Sequence, residues 1–330
     1  MTSTLKGCTY NIGYSYLDHL KLRRAKDPDF SGKIQSKEEE IELLSLYEKV
    51  ERKSAELILQ AQLDFLCIQE GGNESRPFFQ TFTDQKKAED GTEKYTIIHT
   101  GNKTDCFDSA LILNTNRFQN IQDHSFIAKA KNKYTNDPVI KDVSVATVMD
   151  KETGQKIAIV STHVPGLDLT MTPLSLEEEE NGNALCRVMI DKLDEVGKDR
   201  LQIIGADMNA NPEFVSDRFS LFYQKGFTLL RSHLPTNVNP DPSISTGRLL
   251  VEREIDFFLI RNKKCEEKIT FTCMEPILEF DPSTNCSDHI LLLMETSSKV
   301  SHETVDLLQV KSSSSKGGIL SRLFSWLNIS

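Results

Sequence analysis

No stretch of the 330-residue chain reaches the roughly 18 consecutive apolar residues that a membrane-spanning helix needs. Its first residues, Met1-Thr-Ser-Thr-Leu-Lys6, hold no apolar segment of signal-peptide length and lead at once into a strand pattern. An excess of positive charge is also missing: 39 Lys and Arg stand against 49 Asp and Glu, a formal net charge of −10. That balance argues against a protein that grips nucleic acid through bulk electrostatics, although a cleft can still be locally positive. The 7 cysteines form no Cys-x-x-Cys pair and are odd in number. Reduced thiols are therefore expected rather than a disulfide framework, with Cys265 and Cys273 the one pair that could bridge. These absences lead to the expectation of a protein of the cytoplasm or another reducing compartment. No internal repeat and no linker interrupt residues 5 to 297, and an apolar content of 38% suffices for a substantial core. One domain is expected over residues 1–300, followed by a Ser/Gly-rich linker (301–318) and a C-terminal tail (319–330).

What is present is a recurring arrangement in which a short apolar run delivers a polar side chain at its end. Leu201-Gln-Ile-Ile-Gly-Ala-Asp207-Met-Asn209 is the clearest case, a buried strand that ejects a carboxylate and an amide two residues apart. With a strand's period of two, both point to one face. One can orient a water or bind a metal while the other holds a phosphate oxygen, which suits hydrolytic phosphate chemistry. The same grammar yields Asn11 after Cys8-Thr-Tyr, Glu70 after Phe65-Leu-Cys-Ile-Gln69, and His163 after Ile157-Ala-Ile-Val-Ser-Thr. Asp256 opens Asp-Phe-Phe-Leu-Ile, and Ser287-Asp288-His289 precedes Ile-Leu-Leu-Leu. Together these residues supply hard oxygen ligands, two imidazoles and a pair of amides.

Between these strands, Ser36-Lys-Glu-Glu39 has the signature of a capping box. It opens a long helix whose Leu44, Tyr47, Val50, Ser54, Leu57, Ile58 and Ala61 recur at helical spacing. Residues 94–100 and 109–114 read as strands, and 143–149 with 157–162 as a hairpin. Residues 164–183, with four glutamates in a row from Glu177 to Glu180, read as a polar insert before a helix over Ala184 to Val196. In the tail, Ile319, Leu320, Leu323, Phe324, Trp326 and Leu327 fall on one side of a helical wheel. That face suits a peripheral membrane contact, a protein groove through residues 319–329, or a fold back onto the chain's own domain.

The ordered set Asn11, Gln69-Glu70, Thr162-His163, Gly205-x-Asp207-x-Asn209, Ile255-Asp256-Phe257 and Ser287-Asp288-His289 resembles the endonuclease/exonuclease/phosphatase superfamily. The resemblance spans roughly residues 5 to 297, and that group includes deoxyribonucleases, apurinic-site endonucleases, deadenylases, sphingomyelinases and inositol polyphosphate 5-phosphatases. It implies an α/β fold, a four-layer sandwich of two mostly antiparallel β-sheets packed face to face with outer helices. It also implies a metal-dependent phosphoric ester hydrolase. By correspondence Glu70 is the direct ligand of Mg²⁺ (Mn²⁺ a substitute), with Asn11 and Asp288 beside it. Asp207 corresponds to the residue that orients or deprotonates the attacking water, and Asn209 to a donor to a phosphate oxygen. His289 would meet the charge on the phosphoryl oxygens, with Asp256 fixing its tautomer. His163 would be a phosphate donor or a general acid.

The chain departs from the family pattern at Gly13, where some members carry an acidic residue; one Mg²⁺ is therefore expected rather than two. The segments that mark inositol 5-phosphatases are missing. A nucleic-acid phosphodiester, RNA or DNA, is the first expectation for the substrate, since Lys21, Arg23, Arg24 and Lys26 can track a phosphate backbone. A phospholipid or sphingomyelin head group, reached through the amphipathic tail, is the alternative. A catalytically silent interaction scaffold is the second.

Overall fold

Strands buried on both faces read as near-continuous apolar runs, and the runs at residues 65–68, 157–160 and 201–204 become the centres of two sheets. The computed structural model describes residues 4–13, 36–87, 91–101, 107–166, 175–212, 216–240, 250–262, 269–274, 277–278, 286–287 and 289–298. In chain order the elements begin β1 (Lys6–Asn11), α1 (Lys37–Gln60), β2 (Phe65–Gly72), α2 (Pro77–Thr83), β3 (Tyr95–Ile98) and β4 (Phe107–Asn114). There follow β5 (Phe118–Asp123), β6 (Phe126–Lys131), β7 (Pro138–Asp150), β8 (Lys156–His163), α3 (Leu176–Val196) and β9 (Leu201–Asp207). The last are α4 (Ser216–Gln224), β10 (Thr228–Leu230), β11 (Asn237–Pro240), β12 (Leu250–Arg253), β13 (Asp256–Asn262), β14 (Ile269–Met274) and β15 (Leu292–Ser298).

A 6-stranded sheet has the order β14-β15-β1-β2-β4-β3; a 7-stranded sheet runs β10-β13-β9-β8-β7-β5, with β6 also on β7. β11 and β12 form a separate ribbon. Each large sheet contains one parallel pair, β1 with β2 and β8 with β9, and the chain between each pair includes a helix, α1 or α3. The remaining pairings among the described residues are antiparallel. The fold class is thus the expected α/β sandwich.

Alternation along the strands sorts the core into three apolar layers. On β2, Phe65 and Cys67 join Leu111, Ile159, Ile203 and Phe258 between the sheets, while Leu66 and Ile68 face Tyr47, Ile58 and Phe78 of α1 and α2. On β9, Ile204 and Ala206 pack with Leu185, Met189 and Phe222 of α3 and α4. Phe65 and Phe258 meet edge to face across the inter-sheet layer, centroids 6.4 Å apart. Truncating either to Ala would cost about 3–5 kcal/mol. The sheets approach closely at Gly205, where a Cβ would lie 2.7 Å from the Cβ of Cys67.

Ser36 caps α1, its side chain accepting from the Glu39 N–H at 3.1 Å, a bond worth about 1 kcal/mol. The buried stripe starts one residue earlier than the spacing predicted: Leu43 is buried and Leu44 is 37% exposed. Residues 43, 47, 50 and 54 continue a regular 4-3-4 rhythm. The insert expected over 164–183 is corrected more substantially. α3 begins at Leu176, with a capping box between Ser175 and Glu178. Glu177 and Glu178 are exposed, whereas Glu180 is buried and paired with Arg187 and Lys133. The glutamates are therefore the helix's first turns, favoured there by its dipole. β5 and β6 were not anticipated, because Phe118-Gln-Asn-Ile-Gln-Asp and Phe126-Ile-Ala-Lys-Ala-Lys carry little apolar pattern. Cys273 is a free thiol; Cys265, the basic residues 21–26, the linker 301–318 and the tail 319–330 lie outside the described residues. Among those residues no helix is long and apolar enough to cross a membrane.

Candidate active site

The space between the sheets changes character along the strands. Beyond the apolar layer comes a neutral polar one. The Thr9 hydroxyl donates to Gln69 Oε1 at 3.2 Å, and Gln69 Nε2 donates to Ser161 Oγ at 3.0 Å and to the Gly205 carbonyl at 3.2 Å. Gln69, fully buried, therefore joins the two sheets. One step further along, the register sets Asn11 beside Gln69, His163 beside Asp207 and Asp256 beside Asp207. His289 bridges to Asn237. Parallel strands contribute their ends and antiparallel neighbours their beginnings, so charges far apart in sequence meet at one edge of the sandwich.

Asp207 is the hub. Its Oδ2 accepts from Asn11 Nδ2 at 2.9 Å and lies 3.8 Å from His163 Nε2 and 3.9 Å from His289 Nε2. Its Oδ1 accepts the backbone N–H of Asn209 at 2.8 Å. Burial, followed by the charge of Asp256, raises the Asp207 pKa above the usual carboxylate value; the two imidazoles and Asn11 act against that rise. Asn11 Nδ2 also donates to Glu70 Oε1 at 3.2 Å, while its Oδ1 accepts the Gly13 N–H at 2.9 Å. Glu70 Oε1 in turn lies 3.7 Å from His163 Nε2.

Each histidine leans on a carboxylate. His289 Nδ1 is 2.9 Å from Asp256 Oδ2, and His163 Nδ1 is 3.0 Å from Asp108 Oδ1. The other Asp108 oxygen is paired with Lys141 Nζ at 2.6 Å. Burial alone would raise the Asp108 pKa, but its bonds to His163 and Lys141 bring it down to about 2. Burial alone would lower the pKa of His163, yet Asp108 and Asp207 raise it. A second influence on His163 acts in the opposite sense. Asn209 Nδ2 donates to the Val164 carbonyl at 3.0 Å and stands 2.8 Å from His163 Nε2. Since the carbonyl fixes the amide's orientation, Nε2 is the acceptor, and the ring in this arrangement is neutral with its proton on Nδ1.

Two site residues are held in backbone conformations that side chains seldom adopt. Glu70 has φ 52° and Asn209 φ 43°. Glu70 falls within a register irregularity between Gln69 and Gly72 on β2, and a bulge of this kind re-aims a side chain that strict alternation would send to the opposite face. Such conformations cost of order 1 kcal/mol or more and concentrate at functional sites.

Of the residues expected from the sequence, Asn11, Glu70, His163, Asp207, Asn209, Asp256 and His289 are brought together; Asp288 lies outside the described residues. Asp108 is a site residue the sequence reading passed over. Its signal was available: it opens a strand antiparallel to β2, and a strand's beginning shares an edge with its antiparallel neighbour's end, as Asp256 also shows. Two groupings have the chemistry to hold a divalent cation. One is Asp207, Asp256 and His289, whose ligand atoms lie within 4.8 Å of one another. These are buried, and His289 is already bonded to Asp256. The other centres on Glu70, the more accessible carboxylate at 26% exposure; Asn11 turns Nδ2 toward it and Oδ1 toward the Gly13 N–H, so its oxygen would join Glu70 as a ligand only once the amide had turned over. Four carboxylates (Glu70, Asp108, Asp207 and Asp256), two amides (Asn11 and Asn209) and two imidazoles form an oxygen-rich, negative donor set that fits a hard divalent ion, and Glu70 is the group best placed to share it with solvent and substrate.

Solved structures share this architecture. An endonuclease/exonuclease/phosphatase family protein from Bacteroides thetaiotaomicron superposes over 91% of this chain and 100% of its own, with 14% identity and a TM-score of 0.57. The fold is that of the endonuclease/exonuclease/phosphatase proteins. TDP2 from D. rerio, solved with a single-strand DNA product, covers 89% of this chain and 99% of its own at 15% identity, TM-score 0.56. A mannosyl-6-phosphatase from B. thetaiotaomicron covers 88% and 99% at 14% identity, TM-score 0.52. No family model and no curated protein matches the chain at the level of sequence. Endonuclease/exonuclease/phosphatase folds thus serve both a DNA-bound protein and a sugar phosphatase, and the fold by itself leaves the substrate open.

Proposed function

We propose that the chain is a divalent-metal-dependent phosphoester hydrolase that cleaves a phosphodiester by direct attack of water, with nucleic acid, RNA or DNA, as its substrate. The observation that carries this reading is the convergence of Asn11, His163 and His289 on the single oxygen Asp207 Oδ2, within 2.9 to 3.9 Å. Glu70, with Asn11 and with Asp288 from the sequence, would hold Mg²⁺ or Mn²⁺. Bound there, the ion supplies positive charge to the phosphoryl oxygens and the leaving oxygen.

The protein's own groups divide the remaining work. Asp207 takes the proton of the attacking water, and its raised pKa moves it toward the range in which a base is effective near neutrality. Asp256 keeps a proton on His289 Nδ1 and supports the imidazolium, so that Nε2 can donate to a phosphoryl oxygen. When His163 takes up a proton, its Nε2 turns from acceptor to donor. That change releases one N–H of Asn209, and both groups can then donate to phosphate. Asp108 stabilises this charged state as Asp256 does for His289.

Support for a nucleic-acid substrate comes from the DNA product in the D. rerio structure and from the basic residues 21, 23, 24 and 26 of the sequence. The test is a substrate panel of single-stranded RNA, single- and double-stranded DNA, abasic DNA, sphingomyelin vesicles and inositol phosphates. It is run with the full chain and with a truncation after Gly318, which removes the tail 319–330 and leaves β15 whole. Cleavage of RNA or DNA by both forms, weakening steeply with salt, is the expected result. Vesicle hydrolysis that disappears with the tail would replace it by the phospholipid reading. Inactivity on every substrate would favour a scaffold.

A further inference from the structure

Arg76 is almost fully enclosed, at 11% exposure, and belongs to none of the motifs that describe the site. Its guanidinium nevertheless binds the backbone at Glu70 and just after it. Nη1 donates to the carbonyls of Glu70 at 3.1 Å and Gly71 at 3.2 Å, and to the carbonyl of Gly13 at 2.7 Å. Gly13 follows β1, which carries Asn11, so one side chain ties together the two turns that present Asn11 and Glu70. The opposite edge of the guanidinium is gripped by α1: Nε donates to Glu51 Oε1 at 2.7 Å, and Nη2 donates to the Tyr47 hydroxyl at 2.6 Å and to Glu51.

α1 is organised for this grip. Tyr47, Glu51 and Ser54 follow one another at i, i+4 and i+7 on its buried face, and Glu51 is only 1% exposed. Ser54 Oγ accepts the N–H of Cys286 at 3.2 Å, so the same stripe also holds the chain just before Ser287. The route to Arg76 is kept clear by Gly72, at φ +75°, where a Cβ would lie 3.0 Å from Arg76 Cδ. A guanidinium can serve this number of acceptors because its five N–H groups form a rigid planar fork; an ammonium cannot.

Resting on the metal-dependent reading above, we infer that Arg76, clamped by Glu51 and Tyr47, is the positioning residue for the metal-binding end of the site. It holds Glu70 in its left-handed backbone conformation and at its distance from Asn11. It touches no reacting atom and acts through Glu70. Supporting groups of this kind typically set metal affinity by about 10- to 100-fold.

The test measures Mn²⁺ binding by electron paramagnetic resonance on the full chain, with thermal unfolding followed in parallel. The variants are Glu70→Gln, Arg76→Lys and the double variant Arg76→Met with Glu51→Gln, which removes both buried charges together and leaves neither unpaired. The wild type is expected to bind Mn²⁺ and Glu70→Gln to lose most of that binding. The double variant should remain folded and bind about 10- to 100-fold more weakly, and its hydrolytic activity should recover partly at high Mn²⁺, as that of a merely destabilised protein would not. Arg76→Lys, which keeps the charge, should fall between. Native affinity in a folded double variant would overturn the inference and leave the hydrolase reading intact. Should the double variant not fold, native affinity in Arg76→Lys would overturn it equally. A wild type that takes up no Mn²⁺ would remove the metal-dependent reading itself, and the inference with it.

Discussion

His289 and His163 each lean on a carboxylate and each turn Nε2 toward Asp207, yet the two pairs are built to behave differently. The His289–Asp256 pair is deeply buried, with Asp256 at 0% exposure. The Thr236 hydroxyl accepts the N–H groups of Ile255 and Asp256, both at 3.0 Å, and the Thr236 carbonyl accepts the N–H of Ile290 at 2.7 Å. One residue thereby locks the strand start of Asp256 to the chain beside His289. The His163–Asp108 pair instead spans the two sheets, from β8 to β4, is partly exposed, and is shared with Lys141 and Asn209. In the proposed mechanism the second pair is the one that exchanges partners when a proton arrives, and so the one that couples the site to pH.

This difference sets the order of the expected effects. Replacing His289 by Ala should lower turnover at least about a hundredfold and also destabilise the fold, since it leaves the buried Asp256 carboxylate without its imidazole; Asp207→Asn should cost as much activity with little loss of fold, as usual for a positioned acid–base or charge-stabilising group. Steady-state kinetics with melting curves checks both; near-wild-type activity in both variants would remove them from the site. Asp108→Asn should cost less, about tenfold, and should carry a signature the buried pair lacks. Without the Asp108 charge the pKa of His163 falls, so the alkaline limb of the pH–rate profile moves to lower pH. An unmoved limb would mean that the sheet-spanning pair does not act as the account requires.

The strand-end residues were legible in the sequence because each closes or opens an apolar run: Asn11, Glu70, His163, Asp207, Asp256 and His289 all do so, and strand alternation then sends most of them inward. Glu70 is the exception in geometry, since only the bulge after Gln69 explains how it reaches the cleft. Asp108 was obscured because the apolar part of β4 begins two residues later. Arg76 and Glu51 could not be read from pattern at all. One stands at a helix start, and the other is one of many glutamates on α1; only burial distinguishes it. The start of α3 was missed for a related reason, because four glutamates in a row look like a loop when the capping serine before them is overlooked. The topology pairs β1-α1-β2 with β8-α3-β9, an architectural repetition to which no sequence repeat corresponds.

Smaller effects separate the two pairs further. The Asp108 pKa is about 2 against an ordinary 3.8. Its ionised form therefore stabilises the fold above about pH 4, by about 2 kcal/mol, and that contribution is lost as pH falls through about 2. For His163, whose pKa is raised, the sign is reversed: its contribution is complete below its ordinary value of about 6.5 and is lost as pH rises through the raised value. Denaturant unfolding of wild type and Asp108→Asn should therefore give stabilities that differ near neutrality, draw together below about pH 4 and converge only below about pH 2; a constant difference would contradict the assignment. Lys141→Met should have the smallest effect, a two- to threefold change in activity, since a partly exposed ion pair contributes about 0.2–1 kcal/mol.

The central claim, that the polar end of the sandwich is a metal-dependent phosphodiesterase site centred on Asp207, is tested most directly by hydrolysis of bis-p-nitrophenyl phosphate. Wild type and Asp207→Asn are compared after exhaustive chelation and after return of Mg²⁺ or Mn²⁺. The account predicts activity in the wild type only, abolished by the chelator and restored by the metal. Hydrolysis that survives chelation, or that Asp207→Asn retains in full, would contradict it.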